Sequence, residues 1–556
     1  MRRLGTFVAA LVAAVALAGC AGLPTSGPVQ PGPTFTVDPV SPDVTFRPDA
    51  PQPGATPEQI VNGFVTAASG PQGDWETARL YLAADFRDVW QPEAGVIVDV
   101  LGERVLSSSP GDVLTLQVTA RATVDAQGGY APSDGATAAP LSYALGQQAD
   151  GEWRITQAPD GILLDEDLFR SVFRSYSIMF FDPTWDFLVP DTRWFPTVNA
   201  ATRVADALVN GAPSALLADS VVTAFPENVE LLPSVPAPGG VAQAELSEQA
   251  LTVDRVTLDR MQTQLAASLA TTAVTRVEML VDGTRLDAEQ VPVQTTTVDA
   301  RALVLTDDGF GYLVSGALTA VPGLSDAIVA AAPRAVALAR DQASAALLLP
   351  DGRVAVVREG GTPVVLDARS GLLDPTIDPS GLVWSVPGSD PSAVRATAPD
   401  GEEIAITGAW PGATRIHAMQ MSRDGTRMVA IVDFGARPAL VVAGVVRDAD
   451  GVPSALGEPA TLAELTGEGG AVGWLDDTTV GAVLGSGDTA VYVEQAIGGL
   501  SSTLEAPLGA VGLSGVNAAS AVRVRAADGA LFVRRASNWV QTAADVRVLA
   551  VQQGRP

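Results

Sequence analysis

The spacing of apolar residues changes along the chain, from mixed helix and strand periods to an almost unbroken strand period. Between residues 56 and 171, Thr56-Pro57-Glu58-Gln59 is typical of a capped helix start, and apolar residues follow at helical spacing. A second helix is predicted over 75–89, before strands in which apolar and polar residues alternate. The alternation is clearest at Leu114, Leu116, Val118, Ala120, Ala122 and Val124. This segment is predicted to be an α+β domain.

Residues 176–297 combine both periods in an order that predicts an α/β domain. A strand-like run at 177–181 precedes a helix that stops at Asn210-Gly211-Ala212-Pro213. Strands are predicted at 229–232 and 242–246, and the next helix has Leu258, Met261, Leu265 and Leu269 on one face. The last strand, over 274–281, enters an Asp282-Gly283 turn.

Residues 298–552 are predicted to be all β, because short alternating runs recur with turn residues between them. Asp-Gly pairs between apolar runs are strong hairpin signals. Such pairs begin at Asp308, Asp351, Asp400, Asp424, Asp450 and Asp528. About twenty strand-like runs correspond to a β-propeller of five or six blades with four strands each. Two packed sheets that form a sandwich are the structural alternative.

The N-terminus is typical of a lipoprotein signal peptide. Arg2 and Arg3 precede an apolar stretch over 4–17, too short to span a bilayer. Leu17-Ala18-Gly19-Cys20 resembles the bacterial lipobox, which predicts a signal peptide over 1–19 and lipidation of Cys20. An ordinary signal peptide with an incidental cysteine is the alternative. Residues 20–55 are rich in proline and predict an extended tether.

Composition removes several classes of function. All 34 basic residues are Arg, so the chain has no lysine for a phosphate loop or a Schiff base. One His and one Cys cannot form a Cys/His zinc cluster. A formal net charge of −29 argues against nucleic acid as a partner. With a single Cys there is no intramolecular disulfide.

The remaining candidates for chemistry each have a structural explanation. His417 lies in an alternating stretch and is predicted to be a strand residue, although a Ser-His-Asp triad or a Cys-His pair would need it. Asp378 precedes Gly381 and Trp384 with the wrong spacing for a sialidase-type Asp box. Asp165-Glu166-Asp167 suits a helix N-terminus. We predict no catalytic, cofactor-binding or metal-binding residue, and no enzymatic activity.

Aromatic residues of the first domain leave a choice between a core and a pocket. Its helices, followed by a curved antiparallel sheet, resemble the NTF2-like cone fold, and such cones often enclose a pocket. Three tryptophans could face that pocket, but core packing is the favoured interpretation for all of them. They are Trp75, Trp90 and Trp153.

A more specific resemblance lies in the second domain. The helix that ends in Leu208-Val209-Asn210-Gly211-Ala212-Pro213, the Phe225-Pro226 step and the strand into Val281-Asp282-Gly283 resemble the GerMN domain of bacterial envelope proteins. With the lipobox, the N-terminal domain and the β-rich end, the chain resembles the actinobacterial LpqB lipoprotein family. That resemblance implies a C-terminal β-propeller.

The resemblance also implies a function. It suggests a lipid-anchored protein on the extracytoplasmic face of the cell membrane that binds the extracytoplasmic domain of an MtrB-type sensor histidine kinase. Such binding would modulate a two-component system linked to cell division and the envelope. The alternative is an envelope protein that binds or hydrolyses cell-wall glycan or peptidoglycan.

Overall fold

The fold is that of a computed structural model, which describes residues 48–133, 138–435, 437–467, 470–485 and 489–555. The predicted signal peptide, Cys20 and tether residues 20–47 lie outside the described residues. The described residues belong to one compact unit that begins at Pro48. The end of the predicted tether contacts the first domain, since the Tyr81 hydroxyl donates to the Asp49 carbonyl over 2.9 Å. Within the described ranges, no helix combines the length and the apolarity that crossing a bilayer requires.

The first domain packs three helices against one sheet. The helices are α1 (Pro57–Ala67), α2 (Glu76–Arg79) and α3 (Glu166–Val172). The strands are β1 (Gly95–Asp99), β2 (Val105–Ser109), β3 (Val113–Asp125), β4 (Tyr130–Pro132), β5 (Ala138–Gln147), β6 (Trp153–Gln157) and β7 (Ile162–Asp165). They run in the order β6-β5-β3-β1-β7, and β2 and β4 also pair with β3. The predicted α+β organisation is confirmed, and the NTF2-like cone stays a prediction.

Local signals in this domain act as the sequence indicates. Thr56 and Gln59 form the predicted capping box at the start of α1, with the Thr56 N–H donating to Gln59 Oε1 over 2.9 Å. The Asp165 carboxylate caps α3 by accepting from the N–H groups of Asp167 and Leu168, at 3.1 and 3.0 Å. Both caps therefore satisfy backbone donors that a helix start leaves unpaired.

The predicted helix over 75–89 is wrong, because α2 ends at Arg79. The backbone beyond α2 bonds to the sheet: the Ala83 N–H donates to the Ile155 carbonyl, and the Ile155 N–H donates to the Tyr81 carbonyl. A continuous helix would need those same groups for its own ladder. The hydrogen bonds to strand β6 therefore form in place of the helix that the apolar spacing predicts.

The second domain begins with a ribbon of two antiparallel strands, β8 (Phe173–Phe181) and β9 (Leu188–Pro196). Helix α4 (Ala200–Val209), strand β10 (Val241–Glu245), helix α5 (Arg255–Leu269) and strands β11 (Arg276–Val281) and β12 (Thr284–Arg285) follow. Strands β10 and β11 are parallel, and α5 makes the crossover between them. Asp282 and Gly283 both have positive φ in the turn from β11 to β12, as the Asp-Gly pair predicts. The strand predicted at 229–232 is instead a loop with one isolated bridge, Leu231 to Leu246.

The described residues from 302 to 552 form six successive sheets of four or five strands, and their strands pair antiparallel except for the parallel pairing of the last strand with the second sheet. The first two contain β13 (Ala302–Thr306), β14 (Gly309–Val314), β15 (Ala317–Ala320), β16 (Ala335–Leu338), β17 (Ser344–Leu348), β18 (Val354–Arg358) and β19 (Val364–Asp367). The next two contain β20 (Thr376–Ile377), β21 (Val383–Ser385), β22 (Arg395–Thr397), β23 (Glu403–Ala405), β24 (Arg415–Met421), β25 (Arg427–Phe434), β26 (Arg437–Arg447), β27 (Pro453–Leu456) and β28 (Ala460–Glu464). A short helix, α6 (Ser325–Ala331), lies between β15 and β16.

The last two sheets contain β29 (Ala471–Trp474), β30 (Thr479–Leu484), β31 (Val491–Ala496), β32 (Ser501–Glu505), β33 (Ala510–Ser514), β34 (Arg523–Ala526), β35 (Leu531–Arg535) and β36 (Asn538–Ala543). Strand β37 (Val548–Leu549) then returns to pair with β13 in the first sheet, and β38 (Val551–Gln552) pairs with β16 in the second. This return closes the succession of sheets, as in a β-propeller. The propeller-type organisation is confirmed, and the sandwich alternative is wrong.

The Asp-Gly pairs connect the strands of these sheets. All six predicted pairs lie between two strands that pair antiparallel. In the turn at Asp351, the carboxylate accepts from the Arg353 N–H over 3.1 Å, and Gly352 takes a φ of 86°. The side chain thus fixes the turn, and glycine allows the left-handed backbone that closes it.

Candidate functional site

The ribbon β8–β9 carries the side chains that hold the three domains together. Trp194 lies on β9, where it packs against Phe169 and Tyr130 of the first domain, with ring centroids 4.9 and 5.9 Å apart. Its indole N–H donates to the carbonyl of Gly498 in the propeller over 2.9 Å. Trp194 of the second domain therefore contacts both the first domain and the propeller.

Two buried arginines extend this junction. Arg193 pairs with Asp191 over 2.8 Å and donates to the carbonyls of Gln127 in the first domain and Ala212 in the second, both at 3.1 Å. Arg427 in the propeller pairs with Asp424 over 2.5 Å and donates to the carbonyl of Pro190 over 3.4 Å. Each guanidinium thus offsets one carboxylate and also reaches backbone of a second domain.

A cavity of about 250 Å³ lies at this junction, which we call the interdomain cavity. Its walls come from all three domains and are mostly apolar, with Arg193, Arg427 and Gln495 as long polar side chains. The apolar wall residues, glycines apart, are Tyr130, Ala131, Pro132, Pro190, Leu216, Leu217, Ala460, Leu462 and Ile497.

A second cavity, of about 230 Å³, lies inside the propeller, which we call the central channel. Its walls come from the strands that begin or close each sheet, among them β16, β20, β24, β29 and β33. His417 lines the channel and, as predicted, is a strand residue, in β24. Its Nε2 lies 2.9 Å from the Asp433 carboxylate, a partner that the sequence did not indicate.

Asp374 lines the central channel, and its surroundings shift the pKa of its carboxyl group. Its side chain is accessible to the channel but surrounded by protein, and the loss of bulk water raises its pKa above the ordinary value of an aspartate. The positive charges of Arg334 and Arg525 oppose this rise without cancelling it. Ionised Asp374 is therefore a cost to the folded state.

Replacing Asp374 with asparagine is expected to raise the thermal unfolding midpoint at pH 7. When folding raises the pKa of a carboxyl group, the protein loses stability as the pH rises. The loss begins near the pKa of the unfolded state, about 4, and is complete above the pKa of the folded state. Well below pH 4 the aspartic acid is protonated and therefore neutral, like the asparagine. The difference in unfolding midpoint between the wild type and the variant should vanish there. A scan of unfolding midpoints from pH 3 to pH 8 measures this. An equal midpoint at pH 7 would contradict it.

The tryptophans of the first domain belong to its core. Trp75 and Trp90 are buried, and their indole N–H groups donate to the carbonyls of Ala68 and Pro159, at 2.9 and 3.2 Å. Trp153 is partly buried and packs against the same cluster. A cavity lined by Phe64 and Tyr143 in this domain measures only about 20 Å³, room for a single water molecule. The core interpretation of the three tryptophans is confirmed.

Asp378 has a structural role in the propeller. Its carboxylate accepts from the Trp384 indole N–H over 3.2 Å and pairs with Arg447 over 2.7 Å. The predicted lipidation residue, Cys20, lies outside the described residues. The sequence did not indicate the junction residues Arg193 and Trp194, although a charged pair, Asp191 and Arg193, inside a mostly apolar run was an available signal.

Comparison with known proteins follows the same three-part division. A family model for the LpqB N-terminal domain matches residues 50–170, and one for sporulation and spore germination, called Germane, matches 177–287. A model for the LpqB β-propeller domain matches 311–549. The chain belongs to the LpqB lipoprotein family. Membership of this family implies a membrane-anchored lipoprotein.

Individual relatives support the family assignment. An LpqB lipoprotein of Rhodococcus opacus is 27% identical over 471 residues, which cover 76% of each chain. One of Cutibacterium acnes is 31% identical over 304 residues, which cover 52% of this chain and 49% of the relative, so this alignment spans about half of the relative's length. A solved structure of the tandem GerMN domains of GerM from Bacillus subtilis is 15% identical, with a TM-score of 0.19 over 27% of this chain and 52% of that chain.

Proposed function

We propose that this chain is a non-enzymatic accessory lipoprotein of the extracytoplasmic membrane face, attached through lipid on Cys20. The observation that carries the proposal is the union of three domains in one compact unit that follows a lipobox and a proline-rich tether. Contacts such as Trp194 to Gly498 fix the domains against one another and suit a surface that docks onto another protein. No part of this role requires bond-making chemistry.

The proposed partner is the extracytoplasmic domain of an MtrB-type sensor histidine kinase, which LpqB family membership suggests. Residues 20–47 of the predicted tether would span at most roughly 90 Å if extended as polyproline II. That length allows the compact unit to reach a domain that rises from the same membrane. The formal charge of −29 favours a protein partner over nucleic acid.

A pull-down from membranes tests this proposal. The tagged full chain is expected to recover the sensor histidine kinase after mild cross-linking in cells, and this kinase should be absent when its extracytoplasmic domain is deleted. A tagged lipoprotein of unrelated fold with the same signal peptide controls for capture by shared membrane fragments. Recovery of no histidine kinase would overturn the proposal.

Cell-wall binding is a second candidate, favoured by the charged and polar side chains that line the central channel. Asp374, Arg334 and His417 could contact a glycan there, whereas the 20 Å³ cavity of the first domain is too small for a sugar. The compact unit, residues 48–556, should then pellet with purified cell wall. Unchanged pelleting by an Asp374→Asn variant would count against catalysis or recognition through this carboxylate.

A further inference from the structure

The interdomain cavity has the size and the walls of a small-molecule site. A roughly 150 Å³ apolar cavity holds benzene, which has six non-hydrogen atoms, so a cavity of about 250 Å³ holds about ten. Its apolar side chains come from the first domain, the ribbon, the second domain and the propeller. A ligand here would touch all three domains at once.

Two polar atoms of the cavity walls stand unpaired among the described residues. Gln495 and Arg427 are 2% and 1% exposed, yet Gln495 Oε1 and Arg427 Nε have no hydrogen-bond partner. The other polar groups of both side chains are bonded within the protein. Arg427 pairs with Asp424. Gln495 Nε2 donates to the carbonyls of Ala496 and Gly499, at 2.8 and 3.0 Å. A buried polar atom without a partner destabilises the folded state, and a ligand that bonds to it removes that cost. Both side chains line the cavity, so its wall holds one acceptor and one donor that have no partner within the described protein.

The charges of the cavity are already balanced. Arg193 pairs with Asp191, and Arg427 pairs with Asp424. A charged ligand would bring an uncompensated charge into a mostly apolar space, which is costly. The cavity therefore favours a neutral ligand.

We propose that the interdomain cavity binds a small neutral amphiphile. Its apolar body, of about ten non-hydrogen atoms, packs against the Leu216, Leu462 and Ile497 walls. Its hydroxyl or primary amide group donates to Gln495 Oε1 and accepts from Arg427 Nε. Because the cavity exists only where the domains meet, the ligand stabilises their docking and raises the unfolding midpoint. This site does not depend on whether the chain binds a kinase.

Benzamide is the probe for this proposal, because it is neutral, has nine non-hydrogen atoms and carries both a donor and an acceptor. It is expected to bind residues 48–556 with a Kd in the low millimolar range, about 1 mM, by isothermal titration calorimetry. At about 20 mM it should raise the thermal unfolding midpoint. Benzoate has the same shape with a negative charge and should bind at least about tenfold more weakly.

Two variants place the binding in the cavity. Gln495→Leu removes the acceptor and should weaken benzamide binding at least about fivefold, whereas Gln541→Leu, on the exposed face of β36, should leave it unchanged. Ala460→Phe fills the cavity from its wall and should abolish binding. If Gln495→Leu does not fold, Ala460→Phe decides alone. Absence of benzamide binding, or equal binding by wild type and Ala460→Phe, would overturn the proposal.

Discussion

Replacing Cys20 with alanine is expected to move the protein from the membrane fraction to the supernatant and to abolish its labelling with palmitate. Cys20 is the only cysteine in the sequence, so no other thiol can take the diacylglycerol. The apolar stretch over 4–17 is shorter than the roughly 20 residues that span a bilayer. Fractionation of cells followed by immunoblotting measures the distribution.

The size of this effect follows from the chemistry of lipid anchors. Burial of acyl chains contributes about 0.8 kcal/mol per CH₂ group, and two chains hold a protein stably where one does not. Gly19→Ala is the matched control, because it keeps a small residue before the cysteine and should leave the protein in the membrane fraction. Cys20→Ala protein that stays with the membranes would refute lipid attachment at this residue.

Replacing Arg427 with alanine is expected to lower the free energy of unfolding of the compact unit by about 3–5 kcal/mol, because it breaks a buried ion pair. Both side chains of the Arg427–Asp424 pair are 1% exposed. Burial raises the pKa of Asp424, but the Arg427 charge and bonds from Ser422 and Thr426 outweigh it and lower the pKa. Without Arg427 the carboxylate stays buried with less compensation. The bond to Pro190 in the second domain is lost as well.

Urea unfolding of residues 48–556, followed by tryptophan fluorescence, measures this loss, since Trp474 lies 4.9 Å from the Arg427 guanidinium. Arg437→Ala is the control: this arginine is 78% exposed, its partner Glu464 is 69% exposed, and such pairs contribute about 1 kcal/mol or less. Equal losses for Arg427→Ala and Arg437→Ala would show that the buried pair does not hold the junction.

Local signals in the sequence predicted much of the fold. The capping box at Thr56, the cap at Asp165 and the Asp-Gly hairpins each depend on residues a few positions apart, and all of them form. Strand periodicity likewise predicted β3 and the β-rich C-terminal part. The prediction of a helix over 75–89 is wrong because backbone groups of this segment bond to β6, which lies far along the chain.

The junction could not be predicted in the same way. Trp194 and Gly498 are 304 positions apart, and the pattern around each residue indicates only a buried strand or a turn. His417 was placed correctly in a strand, but its partner Asp433 comes from the register of β24 against β25. The interdomain cavity is a product of domain docking, which single-chain periodicity does not encode.

Direct binding between purified proteins tests the central proposal most closely. Residues 48–556 and the isolated extracytoplasmic domain of the sensor histidine kinase should form a saturable 1:1 complex in biolayer interferometry. The Kd should lie below roughly 100 µM, because two proteins anchored in one membrane meet at effective concentrations up to the millimolar range. The extracytoplasmic domain of an unrelated histidine kinase should not bind. Absence of saturable binding at about 1 mM kinase domain would contradict the proposed function.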